Sequence, residues 1–369
     1  MILTKVYAGK TVLVTGHTGF KGSWLCEWLL MLGAKVVGYA LKPPSEPSHF
    51  EALGLAERLK ADVRADVRDY AALANTLETY RPDFVFHLAA QPLVRLSFET
   101  PVATVETNVN GTLNLLEALR VQGRACTAVC ITTDKVYRNE EWLYAYREND
   151  PLGGFDPYSA SKACADIITS SYQQSFFATT LTGPEPISLA TARGGNVIGG
   201  GDWAKDRIVP DCMRALAKGE SIQVRNRHAT RPWQHVLELL GGYLQLGAEL
   251  QLAADGGDRE RLTELSTPFN FGPRLDSNRS VGDLVETVLH YWQGEWQDFS
   301  EAKAPHEAGK LNLTIDKAQH VLAWSPRWDF GKTVEETVAW YRAYYEEGRT
   351  AGAVQDLTRA QIERYTRAS

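Results

Sequence analysis

The 369-residue chain has few cysteines, no long apolar run and no excess of basic charge. Its five cysteines (Cys26, Cys126, Cys130, Cys164 and Cys212) are odd in number and form no C-x-x-C pair. They stand among apolar neighbours, so reduced thiols in the core are expected, with no disulfide framework and no metal site. No stretch reaches the roughly 18 apolar residues of a membrane span. The opening MILTKVYAGKTVLVTG runs straight into strand-like sequence without a signal-peptide cleavage pattern, so a cytoplasmic protein is expected. With 39 Lys and Arg against 45 Asp and Glu the net charge is −6, and the basic residues are scattered. Nucleic acid is therefore not an expected partner. The length admits one large or two medium domains.

What the chain does have begins at 10–15, KTVLVT, a β-branched run of the kind that forms a buried parallel strand. Gly16-His17-Thr18-Gly19-Phe20-Lys21-Gly22 follows at once, a G-x-x-G-x-x-G, and then an expected amphipathic helix, SWLCEWLLMLG. Strand, glycines and helix in that order are the context of a dinucleotide site. The glycines let the backbone turn tightly and approach a pyrophosphate seated on the helix N-terminus. A plain tight turn leaves the third glycine unexplained.

Further strands are expected at 35–41, near 58–69, at 83–90 and at 125–133, alternating with helices at 70–80, 101–121 and 158–173. The fold class is thus α/β, a Rossmann-type doubly wound parallel sheet. The second strand continues Ala40-Leu41-Lys42-Pro43-Pro44 with no acid for a ribose 2′-hydroxyl, and Lys42 leaves NADP open. Asp66 and Val67 stand where an adenine pocket is expected, though Asp66 also reads as an N-terminal acid for the next helix. Leu88, Ala89 and Ala90 end the fourth strand with residues small enough to let a cofactor pass. His87 there reads as a satisfied core histidine. Gln91 to Ser97 is expected to be a loop at the carboxyl ends of the strands, where α/β proteins bind ligands, with Arg95 able to meet an anion. Asn108 and Asn110 inside a long helix compete for backbone hydrogen bonds, so a kink or a polar task is expected there.

The stretch the rest serves is 156–162, DPYSASK. Pro157 suits a helix start, and four residues place Tyr158 and Lys162 on one face. A phenol with a pKa of about 10 is a poor base near neutrality. An ammonium beside it is expected to pull that value down. Thr133 and Asp134, at the end of the fifth strand, face the start of this helix.

TGHTGFKG, HLAAQ, Asn108, TTDKVY and Y-SAS-K, in this order, resemble the extended short-chain dehydrogenases/reductases that act on nucleotide sugars. HTGFKGSWL, TTDKVY, ARGGNVIGGGDW and TRPWQHV bring the likeness closer to the 4,6-dehydratases of CDP-glucose. It covers nearly the whole chain and is thinnest over 175–187 and 351–369. The resemblance implies NAD as cofactor, held by Gly16, Thr18, Gly19, Phe20, Lys21, Gly22, Asp66, Val67, Leu88–Ala90, Thr107, Tyr158 and Lys162. It implies CDP-glucose as substrate, met by Gln91, Arg95, Asn196, Arg207, Arg231 and His235. Arg231 suits the pyrophosphate because its guanidinium fork matches phosphate oxygens, although it also reads as a surface side chain packed on Trp233.

The implied domains are 1–195, with 236–273 returning to it, and a smaller C-terminal α/β substrate-binding domain of 196–235 and 274–369. Trp292, Trp296, Trp324 and Trp328 read as the core of that second domain. Relatives of this kind pair the helices at 101–121 and 158–173 into a dimer, so a homo-dimer or tetramer is expected. The implied product leads to the deoxysugars of surface polysaccharide such as the O-antigen.

The implied catalytic set is Thr133, Asp134, Lys135, Tyr158 and Lys162. The dTDP-glucose dehydratases carry Thr-Asp-Glu where this chain has Thr133-Asp134-Lys135. A protonated ammonium takes no proton. Lys135 is therefore expected either to be desolvated until its pKa falls toward about 7–8, or to stabilise an enolate while another group is the base. Two other readings are a nucleotide-sugar 4-epimerase or decarboxylase, which shares Thr, Tyr and Lys, and a non-catalytic NAD(P)-sensing module. The acid–base pair Asp134-Lys135 speaks against the first and the intact Thr133, Tyr158 and Lys162 against the second.

Overall fold

In the computed structural model, which describes residues 2–178, 187–204, 207–300, 311–347 and 350–368, seven strands form one sheet. They are β1 (Thr11–Thr15), β2 (Lys35–Ala40), β3 (Ala61–Arg64), β4 (Phe84–His87), β5 (Cys126–Ile131), β6 (Ile187–Gly194) and β7 (Pro268–Phe271). Their order is β3-β2-β1-β4-β5-β6-β7, and every pairing is parallel. The chain reverses its direction of travel across the sheet between β1 and β4. That switch opens a crevice at the carboxyl ends of the strands.

The strands are apolar on both sides because both sides are covered. Val12 and Val14 of β1, Phe84 and Phe86 of β4, and Val129 and Ile131 of β5 face one layer. That layer is built from helix Phe20–Met31, through Trp24, Leu25 and Leu29, and helix Val236–Asp255. The alternate residues Leu13, Val85, Ala128 and Cys130 face the other layer, with Leu73 and Leu77 of helix Tyr70–Tyr80 and Leu115 and Leu119 of helix Gly111–Gln122. The period of two along each strand sorts the side chains between these layers. Each fully buried Val, Leu or Phe contributes about 1.5–3 kcal/mol relative to exposure.

The long helix read over 101–121 is interrupted. Helix Pro101–Val105 passes into a π-turn, Glu106–Asn110, and resumes as Gly111–Gln122. Asn108 turns inward there and Asn110 stays outside. The segment expected as a loop over 91–97 holds a short helix, Val94–Glu99, because the Gln91 side chain and Ser97 supply local partners for its first turn.

Beyond β6, two small sheets stand apart from the main one. Asn278–Ser280 pairs antiparallel with Thr230–Pro232, and Trp296–Asp298 pairs parallel with Ile222–Val224. Helix Val236–Asp255 packs on β5 and β6. Trp324 and Trp328 are buried, and Trp292 and Trp296 are half-buried against the same core. Four cysteines are buried and free, but Cys164 is exposed. Its apolar sequence neighbours misled, because Ala163 and Ala165 face inward while Cys164 lies on the outer face of helix Pro157–Tyr172.

Helix Val236–Asp255 also carries Glu238, wholly buried, accepting hydrogen bonds from the backbone N–H groups of Arg327 and Trp328 and from the Tyr365 hydroxyl. Burial pushes this carboxyl up from 4.5 to about 7, against the pull of those donors. The folded protein therefore holds a proton that the unfolded chain releases above pH 4.5. The contribution of Glu238 to stability is full below pH 4.5 and is lost as pH rises to 7, by about 3 kcal/mol. Denaturant unfolding of the wild type and Glu238→Gln across pH 4–8 checks this: the substitution should flatten the fall between pH 4.5 and 7.

Candidate active site

The glycine turn closes on itself by direct backbone contact. Gly16 has φ +74°, and a Cβ there would lie 2.8 Å from the Ala89 nitrogen. A Cβ on Gly22 would lie 2.1 Å from the Gly16 carbonyl oxygen, which accounts for the third glycine. Gly19 caps helix Phe20–Met31 with no side-chain hydrogen bond, so the helix presents its first N–H groups to whatever sits over the turn. The Thr18 hydroxyl donates to the Leu41 carbonyl at 3.0 Å and ties the turn to the end of β2. Leu88 and Ala89 are fixed from below, since Leu88 N donates to the Thr15 carbonyl and Ala89 N to Thr15 Oγ1.

At the end of β5, Thr133 opens a single 3₁₀ turn, Asp134–Val136. Thr133 Oγ1 donates to Asp134 Oδ1 at 2.9 Å. Asp134 is buried, and burial raises its carboxyl above the usual range against the opposing pull of Lys135, Thr133 and Arg231. Lys135 is half-buried beside it. Facing them, Asp156 caps helix Pro157–Tyr172, accepting from Ser159 N at 2.9 Å and from Ser159 Oγ at 2.6 Å. Thr133 lies near enough to the Tyr158 hydroxyl to lower its pKa against burial.

The relation expected between Tyr158 and Lys162 is different in the structure. Burial pushes the Tyr158 hydroxyl up to about 12, and Lys162 is not among the groups that lower it. Lys162 instead donates from Nζ to the Ile131 carbonyl at 2.7 Å, and burial brings its own pKa down to about 8. The cause is desolvation, which disfavours the charged form of both groups. Lys21, at the glycine turn, feels Lys162, Arg207 and Asp134. Burial, with the two like charges, brings it down to about 8.

Beneath these residues lies a buried ion pair. Arg193 of β6 holds both oxygens of Asp166, from Nη2 at 2.7 Å and Nε at 2.9 Å. It also donates to the Tyr137 hydroxyl and the Glu148 carbonyl. Thr132 Oγ1 completes Asp166 at 2.9 Å. On the other side Asn108 donates to Ser161 Oγ at 2.8 Å and to the Gln91 carbonyl, and accepts from Gln91 N. The π-turn thus fastens helix Pro157–Tyr172 to the loop after β4.

The profile of the family described as GDP-mannose 4,6 dehydratase matches residues 13–337. The chain belongs to that family. CDP-glucose 4,6-dehydratase of Salmonella typhimurium is 44% identical over 346 residues, covering 93% of this chain and 94% of that relative. A probable dTDP-glucose 4,6-dehydratase of Sinorhizobium fredii is 33% identical, over 89% of this chain and 92% of its own. Among solved structures, UDP-glucose 4-epimerase of Thermus thermophilus in complex with NAD superimposes with a TM-score of 0.70 at 25% identity, covering 90% of this chain and 99% of that one. dTDP-glucose 4,6-dehydratase of Bacillus anthracis, also with NAD, gives 0.71 at 20% identity over 92% and 99%, a likeness of fold.

Within this dehydratase-family cleft, the residues read from sequence fall into two groups. Arg207 is half-buried and paired with Asp202 at 2.8 Å, near enough to Tyr158 and Lys21 to act on their charges. Arg231 acts on Asp134 from the Thr230–Pro232 strand. Asn196 and Arg95 are exposed, Asn196 just past β6 and Arg95 on helix Val94–Glu99. Thr107 is half-buried in the π-turn. Val67 is buried against Gly111. Asp66 does not cap the next helix, a task Asp69 performs. Its carboxylate accepts from Arg68, which holds it below the usual range.

Two expected substrate residues are committed elsewhere. His235 is wholly buried, caps helix Val236–Asp255 through Nδ1, packs edge-on against Trp24 and Trp328, and is brought down to about 3 by burial. The Gln91 amide is used within its own loop, by Leu93 and Thr104. His87 is the satisfied core histidine expected, held by Thr15 and Thr112. The sequence reading missed Asp62 of β3, beside the acid-free end of β2. Asp62 bonds His17 Nε2 at 2.8 Å, and the imidazole fills the notch that Gly38 leaves.

Proposed function

We propose that the chain is a CDP-glucose 4,6-dehydratase, forming CDP-4-keto-6-deoxyglucose by oxidation at carbon 4, loss of water across carbons 5 and 6, and reduction at carbon 6. The observation that carries the reading is the 44% identity with the Salmonella enzyme of that name over nearly both full lengths. The local chemistry agrees with it: Asp134, a buried carboxyl with a raised pKa, stands next to Lys135 and opposite Tyr158. A 4-epimerase has no use for that acid–base pair.

The glycine cradle and the uncapped helix start fit a dinucleotide. Gly16, Thr18, Gly19, Phe20, Lys21 and Gly22 would hold its diphosphate. Asp66 and Val67 would line its adenine side, and Leu88–Ala90, Thr107, Tyr158 and Lys162 its nicotinamide end. NAD supplies, when bound, the acceptor and donor of hydride. Tyr158 takes the proton of the 4-hydroxyl, with Thr133 orienting that hydroxyl. The ketone at carbon 4 acidifies the proton on carbon 5. Lys135, in its neutral form, would remove that proton, and Asp134 would protonate the departing 6-hydroxyl, a role suited to a carboxyl whose neutral form is favoured. Arg231, Arg207 and Asn196 bind the sugar-nucleotide phosphates from 196–235, which with 274–369 forms the substrate side. The reading places the protein in the cytoplasm, at an early step toward deoxysugars of surface polysaccharide.

Incubation with NAD and CDP-, dTDP- or UDP-glucose in deuterated water tests this. NMR should show a methyl at carbon 6 and deuterium at carbon 5 from CDP-glucose. Product from another nucleotide alone would overturn the substrate, and silence with all three the reaction. Lys135→Met should abolish carbon-5 deuteration; retained exchange would remove Lys135 as the base. A second copy is proposed to cover Phe98, Val102, Val105 and Ile167, exposed apolar residues on the segments flanking the catalytic helix and on that helix. Val102→Glu combined with Ile167→Glu should convert the sedimenting species to monomer.

A further inference from the structure

Next to Asp134 lies a narrow cleft whose lining includes Gly195, Pro232, Gln234, Asn278 and Asn312. Gly195 has room for nothing larger on this wall, since a Cβ there would lie 2.9 Å from Asp134 Oδ2. Gln234 is 1% exposed, yet neither its Oε1 nor its Nε2 has a hydrogen-bond partner among the described residues. Buried amides are almost always satisfied in native proteins, so an amide left bare on both atoms needs a reason.

The surroundings give no structural one. The backbone of Gln234 is satisfied, its carbonyl accepting from Ile198 N at 2.9 Å. Of the flanking side chains, Trp233 Nε1 donates to the Arg279 carbonyl, and His235 Nδ1 accepts from Leu237 N while its Nε2 has no partner among the described residues. Across the same cleft Asn278 donates from Nδ2 to Asn312 Oδ1 at 3.2 Å, and its own Oδ1 is likewise without a partner. Two residues that line the cleft with Asp134 therefore carry one donor and two acceptors without a partner among the described residues.

We propose that the Gln234 amide binds the leaving oxygen of the sugar and holds it against Asp134. This rests on the dehydratase reading above. In the elimination the carbon-5 proton passes to the base and the carbon-6–oxygen bond breaks. Its electrons stay with oxygen, which takes the Asp134 proton and departs as water. Before the step the oxygen is a hydroxyl, which accepts from Gln234 Nε2 and donates its one hydrogen. After the step it carries two hydrogens, and Gln234 Oε1 and Asn278 Oδ1 are the two acceptors. Gln234 thus touches the reacting oxygen through both stages, and it acts on water loss but not on oxidation at carbon 4 or proton removal at carbon 5.

Gln234→Met, of similar volume and without the amide, tests this with CDP-glucose and NAD in deuterated water. The reading is the rate of carbon-5 deuteration in recovered CDP-glucose divided by the rate of methyl formation. The ratio should rise at least about tenfold over wild type, as expected when a hydrogen bond to the developing charge is lost. An unchanged ratio, whether both rates persist or both fall together, would overturn the role of Gln234. If the Met variant does not fold, Gln234→Asn withdraws the same amide by one methylene and should shift the ratio in the same direction. Absence of product from wild-type protein with every nucleotide-glucose would instead overturn the dehydratase reading itself.

Discussion

Replacing Tyr158 by Phe is expected to lower conversion of CDP-glucose by about 10²–10⁴-fold, the usual worth of one positioned acid–base group. The substitution removes one hydroxyl and keeps the ring, so melting temperature should stay close to that of the wild type. The hydroxyl belongs to the site because Thr133, at the mouth of β5 beside Asp134, lowers its pKa against burial. Burial holds it up to about 12, so the phenol is protonated at neutral pH in the free protein. Its proton can leave only when a nearby cation compensates. Arg207 already lowers the value, and Lys162 stands one turn along the helix. Initial rates from the NMR methyl signal, read beside a thermal melt, provide the check. A folded Tyr158→Phe protein retaining more than a tenth of wild-type turnover would remove Tyr158 from the chemistry.

The largest loss of stability is expected from Arg193→Met, about 3–5 kcal/mol. Asp166 is wholly buried, and both its oxygens lie on the guanidinium of Arg193. Without Arg193 that carboxylate keeps one neutral partner, Thr132, and Tyr137 loses the donor to its hydroxyl oxygen. Most of the cost is the stranded charge. The double variant Arg193→Met with Asp166→Asn should therefore recover a large part of it. Urea unfolding of the three proteins measures both quantities. Because Asp166 sits on the catalytic helix one turn beyond Lys162, the single variant should also lose turnover.

The sheet was legible in the sequence because its strands are apolar on both sides and bounded by glycine, proline or polar turns. β1 to β5 were expected within a few residues of where they lie, and the Gly16–Gly22 turn and the Thr133, Tyr158 and Lys162 grouping followed from their places in the chain. Resemblance supplied the narrower reading. What sequence conceals is which polar atoms are already spoken for. His235 and Gln91 have the right chemistry at the right places in the chain, but one caps a helix and the other braces its own loop. Lys162 was expected to act on Tyr158, whereas a main-chain carbonyl holds it. Gln234 left no signal at all, since its meaning lies in partners it does not have. Cys164 shows the same limit on the surface, where composition cannot tell the two faces of one helix apart.

The π-turn at Glu106–Asn110 bears on how this chain and its relatives can change length. Such a turn holds one residue more than an α-turn. A single-residue deletion anywhere from 106 to 110 would let the helix run on smoothly as an α-helix, with no backbone break to oppose it. The turns on either side would keep their faces, because only the extra residue is lost, but the residues within the turn would change theirs. Asn108 could no longer reach both Ser161 and the Gln91 backbone. A deletion that folding tolerates would thus cost the cleft its Asn108 tie at this one turn. The residue count of the helix becomes a part of the active site that no single side chain records.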